Sequence, residues 1–383
     1  ILGNAITLPA AGVLAAALLA GRRIFSNPSQ DALRKRINSD KYKLPHGFEP
    51  SYGTAGFRAR GDLLASTMFR SGIIAAARAR ATGKVTGICI TASHNPEEDN
   101  GVKISEPGGE MLLMAWEEHA NRLANVRKTS HLWGVVTEIL EAEGVPLDGP
   151  PGVVYLAMDT RPTGPKLLQA AREGVEALGC TAVDLGMLTT PQLHFAVRAT
   201  NSGGSKDEAF YFNTLAGGFK TLVEGKRGDG SKLIVDCANG VGALKIDKLV
   251  KRVAGTGLQL DLRNTDCGTL GVLNHECGAD YVQKERKLPA GITAADAGTR
   301  CVSLDGDADR LVYFEVGQDG GLHLLDGDKI AALVAVFVKD AMAHLPASIM
   351  MRPPGAKVGV VQTAYANGAS TKFISQTLGL STG

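Results

Sequence analysis

The chain has few cysteines and almost no excess of charge of either sign. Its 383 residues include six cysteines, none of them in a Cys-x-x-Cys pair. Scattered single thiols in a long chain are typical of a reduced cytoplasmic protein, so neither a disulfide framework nor a structural zinc site is expected. Lys and Arg together number 41 and Asp and Glu 39, a formal net charge of +2. This balance argues against nucleic acid as a partner.

The chain does contain ample material for folded domains. Hydrophobic residues make up 44% and charged residues 21%, which excludes a disordered chain. There are 47 glycines, which indicates many tight turns or close backbone approaches. At roughly 100–200 residues per domain, the length predicts two or three domains.

The first residues have an unusual composition. Residues 1–21 carry no charge and are followed by two arginines, so their length would permit a membrane span or a signal segment. Glycine and proline interrupt this stretch, and we expect an extension of doubtful structure over residues 1–43; a membrane anchor is the alternative. Residues 26–50 are polar and contain proline, which favours a linker.

From about residue 51, short apolar runs alternate with helical periodicity. This alternation predicts an α/β protein with largely parallel strand pairing. A polar, glycine-rich stretch at 201–207 is a candidate domain boundary. The pattern predicts strands at 87–90, 101–105, 153–158, 182–185, 232–236, 301–304, 311–314 and 358–361, and helices at 66–81, 112–126, 164–178, 326–343 and 367–378.

The first chemically informative segment is Thr91–Pro96, directly after a predicted strand. The carboxyl end of a strand is where α/β sheets place ligand chemistry. Ser93 is a candidate nucleophile or phosphate carrier, and His94 is a candidate proton shuttle. The alternative is a turn whose serine and asparagine side chains only bond the backbone.

The second segment is an acidic loop between two predicted strands. Asp305, Asp307 and Asp309 alternate with small residues, so their carboxylates can converge on a hard cation, Mg²⁺ above all. An EF-hand would need Gly and Glu where this chain has Arg310 and Val316. Arg310 instead offers a planar fork for phosphate oxygens. A solvated acidic turn is the alternative.

Two glycine-containing segments carry weaker signals. In Tyr52–Arg58, glycines would let the backbone approach an anion that Arg58 could hold, although a structural turn is as plausible. The segment Asp236–Gly242 lacks the third glycine of a dinucleotide fingerprint and the lysine of a P-loop, and we interpret it as a strand-to-helix turn. A serine loop, three aspartates and basic residues together suggest phosphoryl transfer.

These motifs resemble the signature set of the α-D-phosphohexomutases. The serine loop, the aspartate loop and the glycine loop all match, over a resemblance that runs from about residue 44 to about residue 378. Longer stretches resemble the members that act on N-acetylglucosamine phosphates. They are ITASHNPEEDNGVKIS at 90–105, LTTPQLHF at 188–195, VDCANGVGALK at 235–245 and GVVQTAYANG at 359–368.

The resemblance implies an α/β, multidomain architecture with mixed sheets. It places domain I at 44–200, domain II at 201–315 and part of domain III at 316–383, with the third domain incomplete and the fourth absent. It also implies interconversion of N-acetylglucosamine 6-phosphate and 1-phosphate through a phosphoserine enzyme and a bisphosphate intermediate. A cytoplasmic monomer with a sugar phosphate substrate is expected, and a membrane partner is not.

The resemblance further implies roles for individual residues. Ser93 would be the phosphoserine and would bind Mg²⁺ together with Asp305, Asp307 and Asp309. Arg58 and Arg310 would contact the phosphoryl group, Lys103 would transfer a proton, and His94 would support the site.

Two other functions stay open at this point. The first is a mutase homologue that only binds Mg²⁺, because the family's sugar-recognition and substrate-phosphate loops do not occur within the 383 residues. On this ground we expect the 383-residue chain to bind Mg²⁺ with little turnover. The second is a phosphatase with an aspartyl nucleophile, because an apolar strand leads into Asp-x-Asp, although Asp309 stands where that motif wants Thr or Val.

Overall fold

Two mixed sheets carry the loops singled out above. The computed structural model describes residues 28–53, 56–225, 230, 232–346, 358–364 and 366–382. The uncharged residues 1–21 and the turn residues 54–55 therefore lie outside the described residues. The strands are β1 Tyr52–Gly53, β2 Gly56–Arg60, β3 Thr86–Ile90, β4 Asp99–Ser105, β5 Val153–Met158, β6 Thr181–Met187, β7 Lys232–Asp236, β8 Gln259–Arg263, β9 Arg300–Leu304, β10 Leu311–Val316, β11 Leu322–Leu325, β12 Gly359–Val360 and β13 Ser381–Thr382.

The α-helices separate these strands along most of the chain. They are α1 Gln30–Ile37, α2 Ala65–Thr82, α3 Met114–Ala124, α4 Leu132–Ala142, α5 Gly164–Ala177, α6 Thr190–Asn201, α7 Glu208–Val223, α8 Ala243–Arg252, α9 Ala279–Glu285, α10 Gly327–Ala343 and α11 Gly368–Lys372.

The first sheet has the order β1-β2-β4-β3-β5-β6. Strands β3, β5 and β6 are parallel, whereas β4 is antiparallel to both β3 and β2. A parallel pair needs a long crossover connection, but only the loop 91–98 joins β3 to β4, so the chain must reverse direction there. The sequence-based expectation of largely parallel pairing is therefore wrong, and the mixed sheets implied by the resemblance are confirmed.

The hydrophobic core of the first sheet reaches further toward the N-terminus than predicted. Leu33 and Ile37 lie one helical turn apart in α1 and are both buried, and Tyr42 stacks on Phe69 of α2. Ser29 caps α1 by accepting a hydrogen bond from the Ala32 amide. The linker predicted over 26–50, and the extension predicted up to residue 43, are wrong where the chain is described, because their apolar residues are part of this core.

The second sheet has the order β11-β10-β9-β7-β8 and is also mixed. We call the first sheet with its helices the first unit, and the second sheet with its helices the second unit. Its two helical neighbours α7 and α8 follow the polar stretch 201–207, which lies between α6 and α7. Strand β11 pairs with β10, so the sheet continues past residue 315 to Leu325. Within the described residues, no helix combines the length and the apolar character needed to span a membrane.

Candidate active site

The serine loop and the acidic loop meet although they belong to different sheets. The serine loop leaves the carboxyl end of β3, and the acidic loop leaves the carboxyl end of β9. The hydroxyl of Ser93 donates a hydrogen bond to Asp305 Oδ2 at 2.6 Å, and both side chains are fully buried. Two motifs more than 200 residues apart in the chain are therefore brought together at the edge where parallel strands place ligand chemistry.

The backbone of Ser93 is held in an unusual conformation. Its φ of +56° lies in the left-handed region, which costs a non-glycine residue on the order of 1–3 kcal/mol. The Ser93 amide donates to Thr91 Oγ1 at 2.9 Å. Its carbonyl accepts from Arg161 at 3.1 Å and from Asn274 of the second unit at 2.9 Å. These bonds from both units hold the backbone of Ser93 in this conformation.

Arg161 braces the serine loop through a buried ion pair. Its guanidinium pairs with Asp159 and also donates to the carbonyl of Asn95 at 2.7 Å. Asp159 accepts a further hydrogen bond from the Thr91 hydroxyl at 2.7 Å. Because both charged side chains are buried, the pair and the loop depend on each other.

Arg161→Leu is expected to lower the free energy of unfolding of the first unit by about 3–5 kcal/mol, because it leaves the Asp159 carboxylate buried without its cation. Chemical denaturation followed by circular dichroism measures the change. The double variant Arg161→Leu with Asp159→Asn removes the stranded charge and should recover part of the loss. A double variant that is less stable by the sum of both single losses would show that the two side chains act independently.

The three aspartates of the acidic loop form a compact cluster of oxygen ligands. One carboxylate oxygen from each of Asp305, Asp307 and Asp309 lies within 4.8 Å of the others. Asp305 Oδ1 accepts the amides of Asp309 and Arg310, each at 3.1 Å. Asp307 Oδ1 is buried and has no hydrogen-bond partner among the described residues. A hard divalent cation fits this set, because it would take up the unpartnered oxygen and offset three like charges.

The electrostatics of the cluster show the same surplus of negative charge. Burial, together with the charges of Asp307 and Asp309, raises the pKa of Asp305 to about 7. Burial also acts to raise the pKa of Asp307, but the charge of Lys103 and hydrogen bonds outweigh it, so that this pKa is lowered. Two neighbouring carboxyl groups thus have pKa values shifted in opposite directions, which is common at functional sites.

Lys103 is the cation that the chain itself supplies to the cluster. It projects from β4, and its ammonium lies 2.5 Å from both Asp307 Oδ2 and Asp309 Oδ2. Burial alone lowers the pKa of Lys103, but the charges of the two aspartates raise it above its ordinary value. Lys103 is therefore protonated in this arrangement.

Arg310 and His94 lie on the more open side of the serine. Arg310 donates to Ser93 Oγ at 3.2 Å and to Asp280 at 2.5 Å, and it also contacts His94 Nδ1. Burial and the Arg310 charge lower the pKa of His94 to about 4, so the ring is neutral near pH 7. Ser93 does not bond His94, because its hydroxyl is directed to Asp305. The arrangement excludes a serine–histidine pair and leaves the Arg310 guanidinium beside the hydroxyl.

Arg58 lies in a strand rather than in an anion-binding loop. It belongs to β2, which pairs antiparallel with β4, and its side chain is half-buried. Gly56 has a φ of +128°, and a Cβ there would lie 1.8 Å from the Val102 carbonyl oxygen. Glycine is thus needed for strand packing at this position. The part of the chain that the structure describes shows no hydrogen bond from Arg58 to Ser93, although its charge contributes to the lowered pKa of His94 after burial and Arg310.

Gly306 allows the two loops to approach closely. A Cβ on this residue would lie 2.6 Å from the Ser93 carbonyl oxygen and 3.0 Å from Asn274 Nδ2. From the other side, the turn after β7 packs on it, since the Val241 amide donates to the Gly306 carbonyl at 3.0 Å. The segment Asp236–Gly242 is a strand-to-helix turn, as predicted, and it supports the acidic loop.

Gly306→Ala is expected to lower stability by about 1–3 kcal/mol and to weaken Mg²⁺ binding, because the added methyl group must push the acidic loop away from the serine loop. Thermal unfolding with and without Mg²⁺ measures both effects. Gly217→Ala is the matched control, because a Cβ in this α7 position meets nothing within 4 Å. Equal behaviour of the two variants would show that the loops tolerate separation.

The sequence-based interpretation missed several residues that hold the site together. Thr190 of α6 donates to Asp307 Oδ2 at 2.6 Å. Its helix start was detectable, because Thr189 and Gln192 form a capping box ahead of an apolar run. Asn274 and Asp280 carry no comparable signal, since a loop and the first turn of a short helix bring them to the serine loop.

Three family models match consecutive parts of the chain. Residues 68–129 and 136–206 match the family model described as phosphoglucomutase/phosphomannomutase, alpha/beta/alpha domain I. Residues 200–312 match domain II of phosphoacetylglucosamine mutase, and residues 326–383 match its domain III.

Individual relatives extend the similarity over most of the chain. A phosphoacetylglucosamine mutase of Arabidopsis thaliana is 45% identical over 355 residues, covering 90% of this chain and 63% of the relative. An Aspergillus fumigatus N-acetylphosphoglucosamine mutase, solved with GlcNAc-6P and magnesium, superimposes with a TM-score of 0.82 at 39% identity, covering 93% of this chain and 66% of that one. The structure of an N-acetylglucosamine-phosphate mutase in the apo-form superimposes with a TM-score of 0.83 at 34% identity. The match covers 93% of this chain and 76% of that one. The chain spans less than two thirds of the length of the curated relatives it matches first.

Proposed function

Because the chain belongs to the α-D-phosphohexomutase family and matches its phosphoacetylglucosamine mutases, we propose that it interconverts N-acetylglucosamine 6-phosphate and N-acetylglucosamine 1-phosphate. The reaction proceeds through a phosphoserine enzyme and a sugar bisphosphate, and it supplies UDP-N-acetylglucosamine synthesis. The observation that carries the proposal is the contact of Ser93 Oγ with Asp305, at the edge of the aspartate cluster.

Ser93 carries the phosphoryl group in this proposal. The phosphoryl group passes from Ser93 Oγ to the free hydroxyl of the sugar phosphate, the bisphosphate turns around, and its other phosphoryl group returns to the serine. Arg310 stabilises the equatorial oxygens of the phosphoryl group, because its guanidinium already lies 3.2 Å from the serine oxygen. Arg58 and His94 are proposed to support the bound phosphate, and the charge of Arg58 acts on His94 in the structure.

Asp305, Asp307 and Asp309 would hold Mg²⁺, since their oxygens form the hard ligand set described above, and Ser93 would join them through the oxygen that contacts Asp305. When bound, Mg²⁺ supplies charge neutralisation to the phosphoryl oxygens. Asp305 keeps the serine hydroxyl directed into the site by accepting a hydrogen bond from it.

Lys103 is proposed to hold and move the proton of the reacting hydroxyl. Its ammonium, protonated in the arrangement described, gives a proton to the serine oxygen as the phosphoryl group leaves it and takes one back from the sugar hydroxyl that attacks the phosphorus. An aspartyl-nucleophile phosphatase is disfavoured, because both oxygens of Asp305 already accept hydrogen bonds from Ser93, Asp309 and Arg310.

We propose a cytoplasmic monomer that takes a small sugar phosphate and neither nucleic acid nor a membrane as its partner.

³¹P NMR tests this function directly. The protein is incubated with N-acetylglucosamine 6-phosphate, Mg²⁺ and a trace of the 1,6-bisphosphate, and slow growth of the 1-phosphate signal is the expected result, in keeping with the little turnover expected for the 383-residue chain. Release of inorganic phosphate without isomerisation would indicate a phosphatase. Mg²⁺ binding without any change in the sugar phosphate would indicate a homologue that only binds the metal.

A further inference from the structure

One buried nitrogen near the aspartate cluster has no hydrogen-bond partner among the described residues. His194 Nδ1 lies 2.9 Å from the carbonyl oxygen of Gly109, which can only accept, so this nitrogen carries the proton. His194 Nε2 consequently presents a lone pair, and it is buried with no hydrogen-bond partner among the described residues. A buried acceptor without a donor is uncommon and calls for an explanation.

His194 occupies a defined position relative to the aspartate cluster. It lies one helical turn after Thr190 in α6, on the same face of the helix. Thr190 Oγ1 and Lys103 Nζ both donate to the same oxygen, Asp307 Oδ2, at 2.6 and 2.5 Å. The pKa of His194 is lowered by burial and, to a lesser degree, by the charge of Lys103, which agrees with this proximity.

We propose that His194 is a positioning residue that accepts the ammonium of Lys103 when the aspartate cluster binds Mg²⁺. The inference rests on the Mg²⁺ site of the proposed function and adds a second position for the Lys103 side chain. Lys103 then has two positions, one against Asp307 and Asp309 and one against His194 Nε2.

The reason is a competition for the same oxygens. Lys103 bonds Asp307 and Asp309, two of the three carboxylates that would ligate the cation, and two positive charges at one site repel each other. The lysine is only 2% exposed, so its ammonium cannot move into water without a large rearrangement. A buried ammonium needs a hydrogen-bond acceptor, and His194 Nε2 is an unused one on the adjacent helix.

Isothermal titration calorimetry with MgCl₂ on His194→Leu and His194→Gln tests the inference. His194→Leu removes the acceptor, so Mg²⁺ affinity should fall by about tenfold or more. Losses of this size are typical when a residue that supports the metal ligands without binding the metal is replaced. His194→Gln keeps an acceptor at similar reach and should restore most of the affinity. Thermal unfolding without Mg²⁺ verifies that both variants are folded.

A double-mutant cycle with Lys103→Met separates this role from a merely structural one. Without the lysine there is no ammonium to accommodate, so adding His194→Leu should leave Mg²⁺ affinity unchanged. Wild-type affinity in His194→Leu, or an equal loss in His194→Gln, would overturn the inference, as would the same loss in the Lys103→Met background. Absence of Mg²⁺ binding in the unaltered protein would instead overturn the proposed metal site, and the inference with it.

Discussion

Asp307→Asn is expected to weaken Mg²⁺ binding by about a hundredfold or more, since loss of even an indirect partner of a metal ligand costs roughly 10–100-fold. Asp307 is fully buried, and its Oδ1 has no hydrogen-bond partner among the described residues. Asparagine keeps the shape but removes the charge, and it replaces one hard oxygen with an amide nitrogen. Calorimetric titration of the folded variant with MgCl₂ measures the change.

The matched control is Asp99→Asn on the serine-loop side of the cleft. Asp99 accepts a hydrogen bond from Asn95 at 3.0 Å but does not belong to the aspartate cluster. Its substitution should leave Mg²⁺ affinity within about threefold, because a half-exposed carboxylate beyond the ligands contributes little. Undiminished Mg²⁺ binding in Asp307→Asn would show that the acidic loop is only a turn.

Ser93→Ala is expected to reduce phosphoryl transfer by on the order of 10⁴-fold or more, as removal of a serine nucleophile does in other enzymes. The substitution removes the oxygen that lies between Asp305 and Arg310 and leaves both of these groups in place. Release of the sugar monophosphate from a sugar 1,6-bisphosphate, followed in a single turnover with excess protein and Mg²⁺, gives the size of the loss.

Ser105→Ala is the control for this variant. Ser105 is equally buried in the same sheet, but within the described part of the chain its hydroxyl bonds only the neighbouring Glu106 carbonyl, at 3.2 Å. The control should retain most of the rate. A Ser93→Ala protein with the rate of this control would exclude the serine as the phosphate carrier.

The sequence predicted part of the local elements and little of the pairing of strands, and the helices Leu132–Ala142, Thr190–Asn201 and Glu208–Val223 were missed. Helix 66–81, strand 153–158 and strand 232–236 appear within a residue or two of their predicted bounds, because apolar periodicity and flanking turns are local signals. Strand direction depends on what connects two strands, and the antiparallel placement of β4 follows from the short loop 91–98, whose effect on strand direction apolar periodicity does not encode.

The same division applies to the candidate site. Ser93, Asp305 and Asp307 stand in short motifs whose chemistry is evident from residue type and spacing, and the structure brings them together. Asn274 and Asp280 reach the site only through the packing of the second unit on the first. No periodicity or motif encodes such contacts, because they depend on the relative placement of two sheets.

The most direct test of the central claim is to locate the transferred phosphoryl group. The protein is treated with a sugar 1,6-bisphosphate and Mg²⁺, digested, and analysed by tandem mass spectrometry. The account predicts a phosphate on Ser93 that withstands hydroxylamine. A phosphoryl group on Asp305 that hydroxylamine removes would contradict it.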